Sequence, residues 1–142
     1  TVKGSTFNSN HASKGGAAYN VKSITSCKFN KNTASYGGAV FNAQKVVSSS
    51  FVDNSAKYGA LSYNTVNVVF NKATVTNTVK LVQGLFHNNK HKLTLTNSKI
   101  VNKAKFSKYI NYNTGTFIYS KNVLKSTYKV KKVAGPRNVQ KK

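Results

Sequence analysis

Apolar and polar residues alternate along this chain in short runs. In Ile24-Thr25-Ser26-Cys27-Lys28-Phe29, Cys27 and Phe29 fall on one side while Ser26 and Lys28 fall on the other, the two-residue period of a strand with one buried face. Similar runs at 46–51, 66–70, 93–96 and 116–119 are rich in β-branched and aromatic residues, the composition that suits a pleated, half-buried surface. No i, i+3, i+4, i+7 stripe persists for three turns, and the many Asn, Ser, Thr and Gly residues disfavour a helix. The pattern predicts an all-β chain of short strands joined by tight turns.

The strands recur at a fixed interval. The segment STFNSNHASKGGAAYN (5–20) aligns without a gap to CKFNKNTASYGGAVFN (27–42) and to SSFVDNSAKYGALSYN (49–64), each displaced by 22 residues. The shared columns are Phe7, Phe29 and Phe51; Asn10, Asn32 and Asn54; Ala12, Ala34 and Ala56; Gly15, Gly37 and Gly59. Two more follow, Tyr19, Phe41 and Tyr63, then Asn20, Asn42 and Asn64. Two or three strands with their corners use up such a unit and return the chain one strand spacing higher, about 4.8 Å. A solenoid of stacked coils results, in which like residues touch like.

In that geometry the Phe column becomes an aromatic stack inside the coil, and the Ala positions fill the remaining gaps. The Asn columns become amide ladders at corners, because Asn tolerates the left-handed backbone and pairs with an identical amide one coil away. The Gly-Gly pair marks a corner that needs positive φ or close approach to the next coil. About six coils are expected, regular over 1–64 and degenerate over 65–124, with 125–142 as a basic final strand or tail. In the degenerate part, Ile100 is placed at the Phe column and Ala104 at the Ala column. Phe86 and Asn89 are matched to the Phe and Asn of the motif.

The units F-x-x-N followed by G-G-A-[ILV] resemble the repeat of chlamydial polymorphic outer-membrane proteins, which is similar to repeats in adhesin-like surface proteins. The match runs from Phe7 to Asn10 with Gly15-Gly16-Ala17, and from Phe29 to Asn32 with Gly37-Gly38-Ala39-Val40. A third copy runs from Phe51 to Asn54 with Gly59-Ala60-Leu61. The resemblance implies a right-handed parallel β-helix, secreted or displayed at a cell surface and used for adhesion instead of catalysis.

Charge adds a partner to this picture. Lys and Arg total 23 against one acid, Asp53, within 142 residues, a formal net charge of +22. An excess this large predicts a negatively charged partner: an anionic glycan, a cell envelope, an acidic protein or nucleic acid. Only Arg137 carries the bidentate guanidinium fork, which disfavours a dedicated base reader. Seven of the basic residues, Lys125, Lys129, Lys131, Lys132, Arg137, Lys141 and Lys142, lie in 125–142 and form the candidate polyanion-binding segment. No apolar run approaches the roughly 18 residues that span a bilayer. The chain contains no Met and is read as a processed product or an excerpt of a longer chain.

Catalytic chemistry finds little to use. Glycosidases and lyases need paired carboxylates or acidic calcium ligands, and a Ser-His-acid set needs an acid to spare. His87 and His91 stand four apart but lack an evident third ligand, so FHNNKHK is read as a solvated loop. Cys27 shares its column with Ser5 and Ser49 and is read as a small inward or corner residue. Tyr109, Tyr112 and Tyr119 among lysines suit either stacking platforms for strands or sugars, or an inward structural role. No catalytic residue, metal or cofactor is expected. The leading function is a non-enzymatic, adhesin-like extracellular β-helix that binds anionic partners through lysine-rich faces. The alternative is a basic structural component of a nucleoprotein or filamentous assembly.

Overall fold

The computed structural model describes residues 1–80, 82–104, 109–113, 115–127, 131–134 and 138–140. Every strand pairing among them is parallel, and none of them is helical, so no helix is long and apolar enough to cross a membrane. The chain winds as a parallel β-solenoid around one interior. Sheet A stacks Val2–Lys3, Ser23–Thr25, Lys45–Val47, Val68–Asn71, Lys92–Thr96, Thr116–Ser120 and Asn138–Gln140. Sheet B stacks Thr6–Asn8, Lys28–Asn30, Ser50–Val52, Thr74–Asn77, Lys99–Asn102 and Val123–Ser126. Sheet C has only His11–Lys14, Thr33–Tyr36 and Ser55–Tyr58. Sheet D stacks Ala18–Tyr19, Val40–Phe41, Ser62–Asn64, Phe86–Asn88, Tyr109–Asn113 and Lys131–Ala134.

One left-handed residue turns the chain from sheet A to sheet B in every coil. These are Gly4, Ser26, Ser48, Lys72, Asn97 and Lys121, with φ between 47° and 58°. The residue after each carries the corner's hydrogen bonds. Cys27 N donates to Ser49 Oγ (3.1 Å), Ala73 N to Ser98 Oγ (3.0 Å) and Ser98 N to Asn122 Oδ1 (2.8 Å). Cys27 is thus one rung of a ladder of small corner residues, and it is buried.

Phe7, Phe29 and Phe51 stack in register, with ring centroids 5.0 and 4.9 Å apart. The column then turns aliphatic through Val75, Ile100 and Leu124. The Phe86 alignment needs correction: Phe86 belongs to the interior column of sheet D, above Ala18, Val40 and Ser62. As sheet B shrinks from Phe51 to Val75, sheet D grows from Ser62 to Phe86, so one coil's loss of volume is offset across the same narrow interior.

The 22-residue period also changes. Beyond Phe51 the same column advances by 24, 25 and 24 residues. All of the extra length enters at one corner. Each of the six sheet A to sheet B paths, from Val2–Phe7 to Tyr119–Leu124, takes five residues. From sheet B to sheet D, Phe7 to Ala18, Phe29 to Val40, Phe51 to Ser62, Val75 to Phe86 and Ile100 to Asn111 each take eleven. The return from sheet D to sheet A takes six residues from Ala18 to Ile24 and from Val40 to Val46. It takes eight from Ser62 to Phe70, nine from Phe86 to Leu95 and eight from Asn111 to Tyr119.

The two glycines of each pair do different work. Gly37 sits at φ +64°, whereas a Cβ on Gly38 would stand 2.3 Å from Ala60 O and 2.5 Å from Ser55 O in the next coil. The first glycine sets the turn, and the second lets two coils touch. Ala60 replaces the second glycine in the coil after which sheet C ends. The expected boundary at 124/125 falls inside the strand Val123–Ser126, and Lys131–Ala134 and Asn138–Gln140 continue sheets D and A. Lys131–Ala134 pairs with Tyr109–Asn113 and Asn138–Gln140 with Thr116–Ser120, both in parallel.

Candidate binding face

The Asn columns resolve into two kinds. Asn32 Oδ1 accepts from the Asn10 main-chain N (3.0 Å) and Nδ2 (2.9 Å). Asn54 Oδ1 receives the same pair of bonds from Asn32, both 3.0 Å. Asn32 Nδ2 also reaches Phe7 O, and Asn54 Nδ2 reaches Phe29 O. This is a continuous amide ladder at the corner between sheets B and C. The Asn20, Asn42 and Asn64 column divides. Asn20 and Asn42 are left-handed corner residues, with φ 52° and 54°, and Asn42 Oδ1 accepts from Thr65 N (2.7 Å) and Oγ1 (3.1 Å). Asn64 instead turns inward and is fully buried in its strand, as Asn88 is one coil on. The longer corner that starts at Asn64 releases it from the left-handed turn.

Outside sheet D runs a ladder of rings. Tyr19, Phe41, Tyr63, His87 and Tyr112 share one outward column, with centroids 5.2, 5.3, 4.7 and 5.5 Å apart and planes within 14° of parallel. A second column, Tyr36 on Tyr58 at 5.0 Å, closes sheet C and meets the first edge-on, Tyr36 against Tyr63 and Tyr58 against His87. The Nζ of Lys14 lies 5.5 Å from the Phe41 ring centroid, and that of Lys57 lies 5.4 Å from the Tyr58 centroid. Because ring faces cover one another, the surface presents ring edges, phenol hydroxyls and ammonium groups. The rim of an aromatic ring carries the positive part of its quadrupole, so these edges add to the positive charge of Lys14 and Lys57 on this face.

Burial in this ladder holds the His87 imidazole below its ordinary pKa, since desolvation disfavours the charged ring. Burial, reinforced by Tyr36 and Tyr58, raises the Tyr63 phenol, with the Asn89 amide pulling the other way. His87 therefore sits in a strand between two Tyr rings and not in a solvated loop. The sequence carried a signal for it: Tyr19-Asn20, Phe41-Asn42, Tyr63-Asn64, His87-Asn88 and Tyr112-Asn113 each place a ring and an Asn at the end of sheet D. Tyr119 belongs elsewhere, buried in the interior column of sheet A. The side chain of Tyr109 lies outside the described set.

Beside the ladder, at the corner of variable length, is a groove of about 480 Å³ lined by Asn20, Val21, Lys22, Asn42, Gln44 and Val66. It crosses three successive coils and lies parallel to the ring column. Insertions in solenoids collect on one face, often the binding face.

The lysines form no single stripe. Lys3, Lys45 and Lys92 lie on sheet A, Lys28, Lys99 and Lys125 on sheet B, Lys14 and Lys57 on sheet C, and Lys22 and Lys90 at the corner from D to A. Lys125 is exposed beside Val101. Lys131 and Lys132 lie on a sheet D strand. Lys129, Arg137, Lys141 and Lys142 fall outside the described residues. Among the described residues no three His, Cys, Asp or Glu side chains gather as a metal site. Asp53 Oδ1 accepts from Thr78 N (2.6 Å) and Oδ2 from Thr78 Oγ1 (2.8 Å), so the carboxylate serves a corner. No family model, no curated protein and no solved structure matches the chain.

Proposed function

We propose that this protein is a non-enzymatic, adhesin-like β-solenoid, displayed at a cell surface or secreted, that binds acidic glycans. The observation that carries the reading is the outward ring ladder. Single-stranded nucleic acid is held by bases stacking on open aromatic faces, but here successive rings take those faces at 4.7–5.5 Å. What remains suits sugars: ring edges, hydroxyls and scattered ammonium groups that meet carboxylates or sulfates singly. The one carboxylate of the chain is engaged at a corner, which supports binding over acid-base catalysis.

The test is a salt titration of binding to a heparin-like glycan and to single-stranded DNA. The expected result is saturable glycan binding that weakens steeply with salt and exceeds DNA binding at equal charge. Preference for DNA would favour the nucleoprotein role, and retention of neither would end the polyanion reading.

A further inference from the structure

We infer that the groove of Asn20, Lys22, Asn42 and Gln44 is the glycan subsite, built for a linear oligosaccharide of uronic acids lying along the solenoid axis. The inference rests on the acidic-glycan reading above and gives it a place. Three observations meet there. The volume, about 480 Å³, lies within the ~300–1,000 Å³ span of small-ligand clefts. The lining comes from three consecutive coils, so the groove is elongated by about two strand spacings, roughly 10 Å. It also lies at the corner that first lengthens, from six to eight residues, in the coil that supplies Val66, while in coils 1 to 5 the paths from sheet A to B and from B to D keep fixed lengths. A solenoid holds its frame constant and varies the loop that meets a partner.

The donor set specifies the ligand class. Asn20 and Gln44 offer amides that both donate and accept, as sugar hydroxyls require. Val21 and Val66 supply an apolar floor for the C–H face of a pyranose ring. Lys22 is exposed and contributes one cation, which can meet one carboxylate of such a chain. Tyr19, 53% exposed, stands next to Asn20 at the end of the ladder and extends the apolar surface. Asn42 is the structural member, since its Oδ1 holds Thr65.

The experiment is calorimetric titration with a galacturonic acid hexasaccharide and its fully methyl-esterified, neutral form. The proteins are wild type, the double variant Lys22→Gln/Gln44→Ala, and Lys99→Gln on the opposite sheet B. All three substituted side chains are exposed, and circular dichroism checks that the fold persists. Wild type is expected to prefer the acidic form, the double variant to lose about tenfold in affinity, and Lys99→Gln to lose less than about twofold. Equal losses in the two variants would overturn the groove while leaving general polyanion binding intact. Equal binding of the acidic and neutral sugars would overturn the uronate assignment. Failure of wild type to bind the hexasaccharide or heparin would remove both this inference and the reading beneath it.

Discussion

Replacing Gly38 by Ala isolates what the second glycine of each pair does. Its φ lies outside the left-handed region, so alanine can adopt the backbone and any cost arises between coils. The added Cβ would stand 2.3 Å from Ala60 O, 2.5 Å from Ser55 O and 2.8 Å from Ser55 C. All three are main-chain atoms, which no side-chain rotation can clear. Separating the coils there strains Gly38 N→Gly59 O (3.2 Å), Ala39 N→Leu61 O (3.2 Å) and Ser55 N→Asn32 O (3.0 Å). Overpacking costs about 1–3 kcal/mol, and weakening one or two ladder bonds costs about 1 kcal/mol each. The smaller entropy of the unfolded alanine chain returns about 0.4–1 kcal/mol. The net is a destabilisation of about 1–4.5 kcal/mol. Urea unfolding followed by circular dichroism and by Tyr fluorescence measures it, and coincidence of the two probes tests whether one transition describes the stack. The companion Ala60→Gly removes a buried methyl at a place with no sheet C strand beyond it, and costs about 1–2 kcal/mol through lost burial and added chain freedom. A Gly38→Ala protein within about 0.5 kcal/mol of wild type would refute the close-approach argument.

Three further outcomes are expected. Asn32→Ala strips the fully buried rung that links Asn10, Phe7 and Asn54, and should lower stability by about 2–4 kcal/mol; a loss no larger than that of an exposed Asn would show that the ladder is passive. Asn111→Leu removes an inward amide whose Nδ2 and Oδ1 both lack partners and should be neutral or stabilising by about 1–2 kcal/mol, with a large destabilisation as the contrary result. Because the folded pKa of His87 is lowered by burial, the unfolded chain binds more protons just below its ordinary value, about 6.5. Stability is then complete above about pH 6.5 and falls as the pH drops through the window beneath it. Unfolding curves of wild type and His87→Tyr across that range should diverge on the acid side, and parallel curves would contradict the assignment.

The first three coils were legible because their corners are identical in length, so columns read straight off a 22-residue displacement. Beyond Asn64 the two residues added before Phe70 break that displacement, so motif spacing alone sets Phe86 in the wrong column. Ile100 could still be placed, because its distance from the preceding corner does not change. Which side of sheet D the Tyr19 column faces was harder to see. Hydrophobicity would send the ring inward and leave Ala18 outside, yet Ala18 faces the core. The rings stay out because each neighbour covers a face, a source of burial that exists only once the coils are stacked. The ring-Asn dipeptide, His87-Asn88 included, was the available signal. The groove had none, since a corner becomes a cleft only beside its neighbours.

The register also explains how a chain of net charge +22 can stack at all. Two ammonium groups in one outward column of adjacent coils would stand about 5 Å apart, well inside the roughly 8 Å screening length at physiological salt. Among the described pairings no Lys lies opposite a Lys. Lys28 is flanked by Thr6 and Ser50, Lys45 by Ser23 and Val69, and Lys99 by Thr74 and Val123. Lys28 and Lys99 share a column but stand three coils apart, at 28, 50, 74 and 99, or about 14 Å, where screening is nearly complete. Keeping like charges out of adjacent positions in a strand column removes part of the repulsion that mixed charges would otherwise offset. The same spacing leaves the side chains of Lys28, Lys45 and Lys99 exposed and apart from one another along the rod.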